Sequence, residues 1–267
     1  MNMHLKRVRH IILFAILSGV AINLHAQTRV VLDNYYNHET NPKTGKLFHY
    51  LWSDHANSGF SEWGDIFKEK GATLDTLQRA PSNANLRKAD IYIVVDPDTK
   101  AESPNPHYIM AGGIKAITSW VKKGGVLVLM ANDSGNCEFQ HLNNLARNFG
   151  MHFNEVRLNH VTGHQWEMGA VTSFGKSPVF SGIKKIYLKD VSSLDLSGPA
   201  KAVLSKDGNV FMAISHVGKG YVFAVTDPWI YNEYIGHRYL SVGFENHKAA
   251  ENMTAYLIGL SKQARKH

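Results

Sequence analysis

Four clusters of polar and aromatic residues follow short apolar runs, and they contain groups that can donate, accept or transfer protons. They are Asp33-Asn34-Tyr35-Tyr36-Asn37-His38-Glu39, Asp96-Pro97-Asp98-Thr99, Asn132-Asp133-Ser134 and Asp227-Pro228-Trp229-Ile230-Tyr231-Asn232-Glu233-Tyr234. Carboxylates and amides bind sugar hydroxyls, and aromatic rings stack on the apolar faces of pyranoses. We expect these clusters to line one pocket. The alternative is that each Asp or Asn only caps a helix or closes a turn, and that Trp229 and Tyr231 are interior residues.

Two further patterns could carry other chemistry. His160, His164 and Glu167 have a spacing that would place metal ligands on one face of a helix, but Gly163 between them disfavours a helix. We therefore expect no metal or cofactor, and expect His164 either to contact substrate from a loop or to be a surface histidine. Ser134 follows a strand, where a hydrolase keeps its nucleophile, but the G-x-S-x-G motif lacks both glycines. A helix cap is the favoured role of Ser134, and an esterase nucleophile is the alternative.

The elements that must position these clusters alternate between strand and helix in the first half of the chain. Apolar and β-branched runs predict strands, and apolar residues at helical spacing predict the helices between them. The predicted strands are 28–33, 72–77, 89–96 and 126–130, followed by the short runs 151–156, 186–188, 200–204, 210–214 and 221–226. The predicted helices are 60–70, 108–121, 139–149 and 245–260, the first and third of which end before Gly71 and Gly150. The sequence predicts an α/β fold, and in an open parallel sheet ligands bind at the carboxyl ends of the strands.

The first 26 residues have the composition of a secretory signal peptide. Lys6, Arg7 and Arg9 precede the apolar run Ile11–Leu17, and Leu24-His25-Ala26 predicts cleavage before Gln27. We therefore expect residues 27–267 to form a single α/β domain in the periplasm or outside the cell. No stretch is long and apolar enough to predict a membrane span.

Charge and cysteine content exclude several classes of protein. The chain has 29 Lys and Arg against 22 Asp and Glu, and removal of the signal peptide would reduce the net charge from +7 to +4. A mild positive charge without basic runs does not support nucleic-acid binding, but it favours an anionic small substrate. Cys137 is the single cysteine, which excludes an internal disulfide and a cysteine-cluster zinc site.

Five runs in the sequence resemble a known family. VVLDNYYNHE, YLWSDHANSGFSEWGDIF, ADIYIVVDPDT, GGVLVLMANDSGN and FAVTDPWIYNEY are similar to the module at the carboxyl side of exported unsaturated-uronyl (rhamnogalacturonyl) hydrolases of the Bacteroidetes type. The resemblance implies the architecture of class I glutamine-amidotransferase-like domains, a flavodoxin-like, mostly parallel sheet flanked by helices, here with extra short strands in the C-terminal half. The G-x-C-x-G elbow of the amidotransferases is missing, so we do not expect glutamine hydrolysis.

The resemblance also implies an activity and a functional partner. Members of this family are linked to oligosaccharide dehydration, in which a non-reducing-end uronic acid loses water and becomes a 4,5-unsaturated sugar. The substrate is then an anionic oligosaccharide, and a separate unsaturated-uronyl hydrolase would consume the product. A non-catalytic carbohydrate-binding module and a carbohydrate esterase remain as alternatives.

Such a reaction needs donors for the uronate carboxylate, a base and an acid. We predict acid or base roles for His164, Tyr231, His38 and Tyr35. Substrate contacts are predicted for Asp33, Asn34, Asn57, Asp96, Asp98, Asn132, Asp133, Glu167, Asp227, Trp229, Asn232 and Glu233. The sequence does not separate the base from the acid.

Overall fold

The protein is described from a computed structural model, which covers residues 27–266. The predicted signal peptide lies outside the described residues. The strands are β1 (Arg29–Asp33), β2 (Thr73–Leu77), β3 (Ile91–Val95), β4 (Val126–Met130), β5 (Met151–Leu158), β6 (Ala170–Val171), β7 (Ile186–Tyr187), β8 (Val191–Leu196), β9 (Lys201–Lys206), β10 (Asn209–Val217) and β11 (Gly220–Val225). The helices are α1 (Ser61–Glu69), α2 (Asn83–Leu86), α3 (Ala111–Lys122), α4 (Phe139–Ala146), α5 (Asn232–Ile235) and α6 (Asn246–Ala264). In this part of the chain no helix is long and apolar enough to cross a membrane.

Five neighbouring strands form the parallel centre of a mixed sheet, in the order β2-β1-β3-β4-β11. The runs IYIVV of β3 and VLVLM of β4 are buried throughout, because helices cover both faces of the sheet. Alternate residues enter the two cores: Ile93 and Val128 pack on the face that carries α1 and α6, whereas Val94 and Leu129 pack on the face that carries α3 and α4. The predicted α/β arrangement is confirmed.

The C-terminal half extends this sheet with antiparallel strands. Strand β10 pairs with β11, β8 and β9, and β5 pairs with β8 at the edge. Asp207 and Gly208 both have positive φ, 51° and 79°, in the hairpin between β9 and β10, as a two-residue type I′ hairpin turn requires. Strand β8 was not predicted, because Ser192 and Ser193 interrupt its apolar pattern although both are buried.

Strands β1, β3, β4 and β11 are parallel, so the loops that follow them leave the sheet at one edge, as predicted. The loop between β1 and α1, residues 34–60, is the longest of these connections. Tyr36 and Tyr50 hold it down, since their side chains are 1% and 4% exposed and pack in the two opposite cores. This loop carries His49 to the same edge as the loops after β4 and β11.

Candidate functional site

A cavity of about 260 Å³ lies at the edge where the parallel strands end. Its walls come from the loop before α1, the loop after β4, strand β5, the turn after β7 and the loop after β11. The lining residues are His49, Tyr50, Ser58, Asn132, Asp133, Asn136, Arg157, Lys189, Asp190, Asp227, Tyr231, Glu233 and Tyr234. This mixture of carboxyl, amide, phenol and basic groups suits an oxygen-rich polar ligand.

Asp227 supplies a buried carboxyl group to the cavity. The residue is 3% exposed, and its Oδ2 has no hydrogen-bond partner among residues 27–266. Burial raises the pKa of Asp227 well above its ordinary value, and the negative charges of Asp96 and Asp133 act in the same direction against the effect of Lys189, which lowers it. The shift favours the neutral, protonated form of the carboxyl group, which can donate a proton.

Asp96 lies behind the cavity and connects two residues that line it. Its Oδ2 accepts hydrogen bonds from the Tyr50 hydroxyl at 2.7 Å and from Asn132 Nδ2 at 3.0 Å. Asp96 is buried and has a φ of +43°, a conformation that a residue with a side chain holds only when its surroundings fix it. Asp96 was predicted to contact substrate; the structure places it as the residue that positions Tyr50 and Asn132.

His49 is the histidine that reaches this cavity. Its Nδ1 lies 2.9 Å from Oε1 of Glu39, a buried residue of the same loop. His49 also has a positive φ, 64°, so the loop backbone is strained where it presents the ring. A carboxylate on Nδ1 fixes the orientation of an imidazole and leaves Nε2 available to accept a proton.

Three tyrosines complete the polar surface. The rings of Tyr50 and Tyr231 stack with their centroids 5.6 Å apart, and Tyr231 and Tyr234 meet edge to face at 5.5 Å. Burial raises the pKa of Tyr50 and of Tyr231 well above the ordinary value, and nearby carboxyl groups add to it. At neutral pH these phenols are proton donors and not bases. Tyr231, predicted as an acid or base, can therefore act only as an acid or a hydrogen-bond donor.

Two cations differ in how they are neutralised. Arg157 Nε lies 2.8 Å from Asp133 Oδ2 and 3.1 Å from Asp190 Oδ1, so its charge is already balanced. Lys189 is half-buried and lines the cavity, but it forms no salt bridge with any residue of the described range. A half-buried ammonium that no carboxylate contacts directly favours an anionic ligand.

Some predicted residues do lie together, and two others lie close by. Asn132, Asp133, Asp227, Tyr231 and Glu233 line the cavity, as predicted. His164 and Asn57 line an adjoining cavity that shares Lys189, Glu233 and Tyr234 with the first. His164 was predicted to act on the substrate as an acid or base; the structure places it in the wall of the adjoining cavity and not of the first.

Asp33 is a structural residue, contrary to the prediction that it binds substrate. It is 1% exposed, and its Oδ1 accepts from the backbone N–H groups of Tyr35 and Tyr36, which turns the chain at the end of β1. Its Oδ2 accepts from the Tyr92 hydroxyl. Burial raises the pKa of Asp33 to about 6, although Tyr92 and the two N–H groups oppose this shift.

The raised pKa of Asp33 predicts a pH dependence of stability. Between about pH 4 and pH 6 the folded chain retains a proton that the unfolded chain has lost, so the free energy of unfolding falls as pH rises through this range. Above pH 6 the ionised Asp33 lowers the free energy of unfolding by its full amount, about 3 kcal/mol for a pKa shift of this size. We expect the Asp33→Asn variant to lack this contribution. Its free energy of unfolding from urea titrations should therefore rise relative to that of the wild type as pH increases from about 4 to 6. Parallel profiles for the two proteins would contradict the assignment.

Three more predicted residues form a separate cluster outside the cavity. His38 Nδ1 lies 2.9 Å from Asp98 Oδ2, and its Nε2 lies 3.3 Å from Ser103 Oγ. The His107 ring stacks between His38, at 4.2 Å, and Tyr35, at 4.0 Å. Burial raises the pKa of Asp98 to about 7 and lowers that of His38, so both favour their neutral forms. The predicted roles of His38, Tyr35 and Asp98 at the substrate are not supported, because His38 pairs with Asp98 and Tyr35 stacks on His107, and none of the three lines the cavity.

The remaining predicted contacts are also structural. Trp229 is fully buried in the core, and Asn34 is buried at the end of β1. Asn232 is fully buried and its Nδ2 donates to the carbonyls of residues 54 and 56 and to Ser61 Oγ, which fastens α5 to the loop before α1. Glu167 forms an exposed salt bridge with Lys185, 2.8 Å long. The prediction selected polar residues that follow strands, and amide and carboxyl side chains at such positions also close turns and join loops.

The structure forms neither a metal site at His160, His164 and Glu167 nor a nucleophile–histidine pair at Ser134. Among residues 27–266 no set of three His, Cys, Asp or Glu side chains is placed to hold a metal ion; His160 pairs with Asp190 at 2.5 Å, whereas Glu167 pairs with Lys185. Ser134 is exposed, and no histidine in the described range bonds to it. The prediction that Ser134 caps a helix is wrong, because α4 begins at Phe139 with Glu138 as its cap.

Several residues that line the cavity were not predicted from the sequence, among them His49, Tyr50, Arg157 and Lys189. Lys189 and Asp190 follow the short run 186–188, so the rule that polar residues after strands form the site applies to them as well. His49 and Tyr50 had no such signal, because their position depends on the path of a long loop.

No protein-family model matches this chain, and no curated protein matches it. Solved structures share its fold. The mmIFT52 N-terminal domain has a TM-score of 0.63 and 15% identity, over 86% of this chain and 97% of that domain. A GMP synthase subunit from Thermoplasma acidophilum has a TM-score of 0.50 and 10% identity, over 91% of this chain and 98% of the other. A β-galactosidase from Rahnella sp. R3 has a TM-score of 0.52 and 14% identity, over 87% of this chain but 31% of the enzyme. At these identities the likeness establishes a shared α/β fold.

Proposed function

We propose that this protein is an oligosaccharide dehydratase that removes water from a non-reducing-end uronic acid and forms a 4,5-unsaturated uronyl product. One observation carries the proposal: an imidazole oriented by a carboxylate, an ammonium without a salt bridge and a buried carboxyl group with a raised pKa line the same cavity. These are the base, the carboxylate-binding group and the acid that the elimination needs. The same proposal includes a flavodoxin-like, class I glutamine-amidotransferase-like fold, with which the GMP synthase likeness is consistent.

In this proposal Lys189 binds the carboxylate at carbon 6 of the sugar. When the proton at carbon 5 leaves, negative charge develops on that carboxylate, and a nearby ammonium in a partly dry site stabilises it. Tyr231 and Asn132 line the same cavity and can donate further hydrogen bonds. Binding energy of this kind acts in the transition state because the carboxylate charge increases there.

Proton transfer in this proposal uses the two remaining groups. Nε2 of His49 takes the proton from carbon 5, and the electrons of that C–H bond form the double bond between carbons 4 and 5. The bond between carbon 4 and its hydroxyl oxygen breaks, and Asp227 gives its proton to that oxygen, which leaves as water. Solvent then returns a proton to Asp227 and removes one from His49, which restores the site.

Product analysis tests the proposed activity directly. Residues 27–267 would be incubated with saturated oligosaccharides that end in glucuronic or galacturonic acid, and ultraviolet absorbance and product mass would be recorded. We expect the absorbance of a conjugated unsaturated uronate and the loss of one water per chain end. Release of acetate or methanol would favour an esterase, and binding without any change in mass would favour a carbohydrate-binding module. The exported location and a separate unsaturated-uronyl hydrolase as consumer of the product belong to the same proposal.

Ser134→Ala separates the dehydratase from the esterase. Ser134 is exposed and is absent from the residues that line the cavity, so its loss removes no acid, base or donor of the proposed reaction. We expect unchanged turnover in the absorbance assay. An inactive Ser134→Ala protein with an unchanged melting temperature would support the esterase instead.

A further inference from the structure

A second cavity, of about 300 Å³, adjoins the first. Lys189, Glu233 and Tyr234 line both, so the two spaces share a wall. The other residues of the second cavity are Asn57, Val161, Gly163, His164, Trp166, Tyr187 and Tyr239. The shared wall means that a ligand too long for the first cavity can continue directly into the second.

Aromatic rings dominate the second cavity. Trp166 is half-buried in a short 3₁₀ turn, Trp166–Gly169, and its ring meets that of Tyr187 edge to face at 5.6 Å. Tyr239 is 51% exposed, so much of its ring faces solvent. Its hydroxyl accepts a hydrogen bond from Asn57 Nδ2 at 3.0 Å. Exposed rings that their neighbours hold in place can stack on the apolar face of a sugar.

A buried polar atom at the same place lacks a partner. Tyr187 lines the second cavity and its side chain is fully buried, yet its hydroxyl has no hydrogen-bond partner in residues 27–266. Burial raises the pKa of Tyr187 above its ordinary value, so the group remains a neutral donor. Buried hydroxyls are nearly always hydrogen-bonded, and a ligand hydroxyl would satisfy this one.

We propose that the second cavity binds the sugar ring that follows the uronate, and that this ring is uncharged. Apart from the shared Lys189 and Glu233, its lining contains no Asp, Glu, Lys or Arg, and His164 is the one further basic side chain there, so no permanent cation of its own balances a second carboxylate. The inference rests on the proposed function in one respect, namely that a uronate occupies the first cavity. It makes the protein specific for oligosaccharides over free uronic acids.

Calorimetry with short probes tests this inference. The dissociation constants of glucuronic acid, glucuronosyl-glucose and glucuronosyl-glucuronic acid, and of their galacturonic counterparts, would be measured for the wild type and for Trp166→Ala. We expect a neutral second ring to strengthen binding and Trp166→Ala to weaken disaccharide binding about 5–10-fold, the worth of one aromatic stacking contact, while binding of the monosaccharide is unchanged. Met168→Ala is the matched control, because Met168 is exposed in the same turn and does not line this cavity.

The outcomes separate this inference from the proposed reaction. If no water is lost but the disaccharide binds more tightly than the monosaccharide through Trp166, the second ring site stands and the dehydratase proposal fails. If water is lost but free uronates and disaccharides bind equally well, the reaction stands and the second ring site is overturned. Preference for a charged second ring, equal weakening by Trp166→Ala and Met168→Ala, or no binding of any probe would also overturn it.

Discussion

Replacing His49 by Gln is expected to lower the turnover of uronate-terminated oligosaccharides by about 10²–10⁴-fold, the loss that follows removal of a general base. Glu39 holds Nδ1 of the imidazole at 2.9 Å, and the tyrosines of the cavity have raised pKa values that keep them protonated. Gln retains polarity and approximate size but cannot take a proton. Initial rates of ultraviolet absorbance at neutral pH would measure the loss.

His38→Gln is the matched control for His49→Gln. Both histidines belong to the loop between β1 and α1, and each pairs through Nδ1 with a carboxyl group, but His38 pairs with Asp98 outside the cavity. We expect the His38→Gln protein to keep its turnover. Equal losses of turnover in the two variants would mean that both substitutions disturb the loop. Full activity of His49→Gln would show that His49 is not the base, and Glu233, the half-buried carboxylate that lines both cavities, would then be the candidate.

Much of the fold could be predicted because burial on both faces gives a strand an unmistakable composition. The runs of β3 and β4 contain only apolar residues and tyrosine, and the helix between them is followed by two glycines. Strand β8 could not be predicted in this way, because its buried polar groups are satisfied by distant partners. Ser192 Oγ donates to the Thr226 carbonyl at 3.3 Å, and Ser193 Oγ accepts from Asn154 Nδ2 at 3.1 Å. The sequence pattern shows polarity and does not show the partner that makes it tolerable in the interior.

The candidate site was predictable where it depends on strand ends and unpredictable where it depends on loop paths. Asn132 and Asp227 follow neighbouring parallel strands, so topology alone brings them together. His38 is nearer to β1 in sequence than His49, yet His38 turns to Asp98 and His49 reaches the cavity. The choice between them follows from the burial of Tyr36 and Tyr50, which fix the path of the loop in three dimensions.

Replacing Asp227 by Asn is expected to reduce turnover by about 10²–10⁴-fold, as for loss of a general acid, without reducing stability. Asn has nearly the same shape but carries no transferable proton. The raised pKa of Asp227 means that the fold favours its neutral form, so a permanently neutral Asn should keep or raise the melting temperature at and above neutral pH. A loss of activity combined with a gain in stability is characteristic of a residue kept for function. Turnover and melting temperature would be measured on the same preparation.

Asp33→Asn provides the comparison for Asp227→Asn. Asp33 is also a buried carboxyl group at the end of a parallel strand with a raised pKa, but it lies outside the cavity and bonds to Tyr92. Because both substitutions remove one buried ionisable group, they should affect stability in the same direction above about pH 6, and only Asp227→Asn should reduce turnover. If Asp227→Asn retains wild-type turnover, the proton for the departing hydroxyl comes from another group, and Tyr231 is then the acid, since its phenol remains protonated in the same cavity.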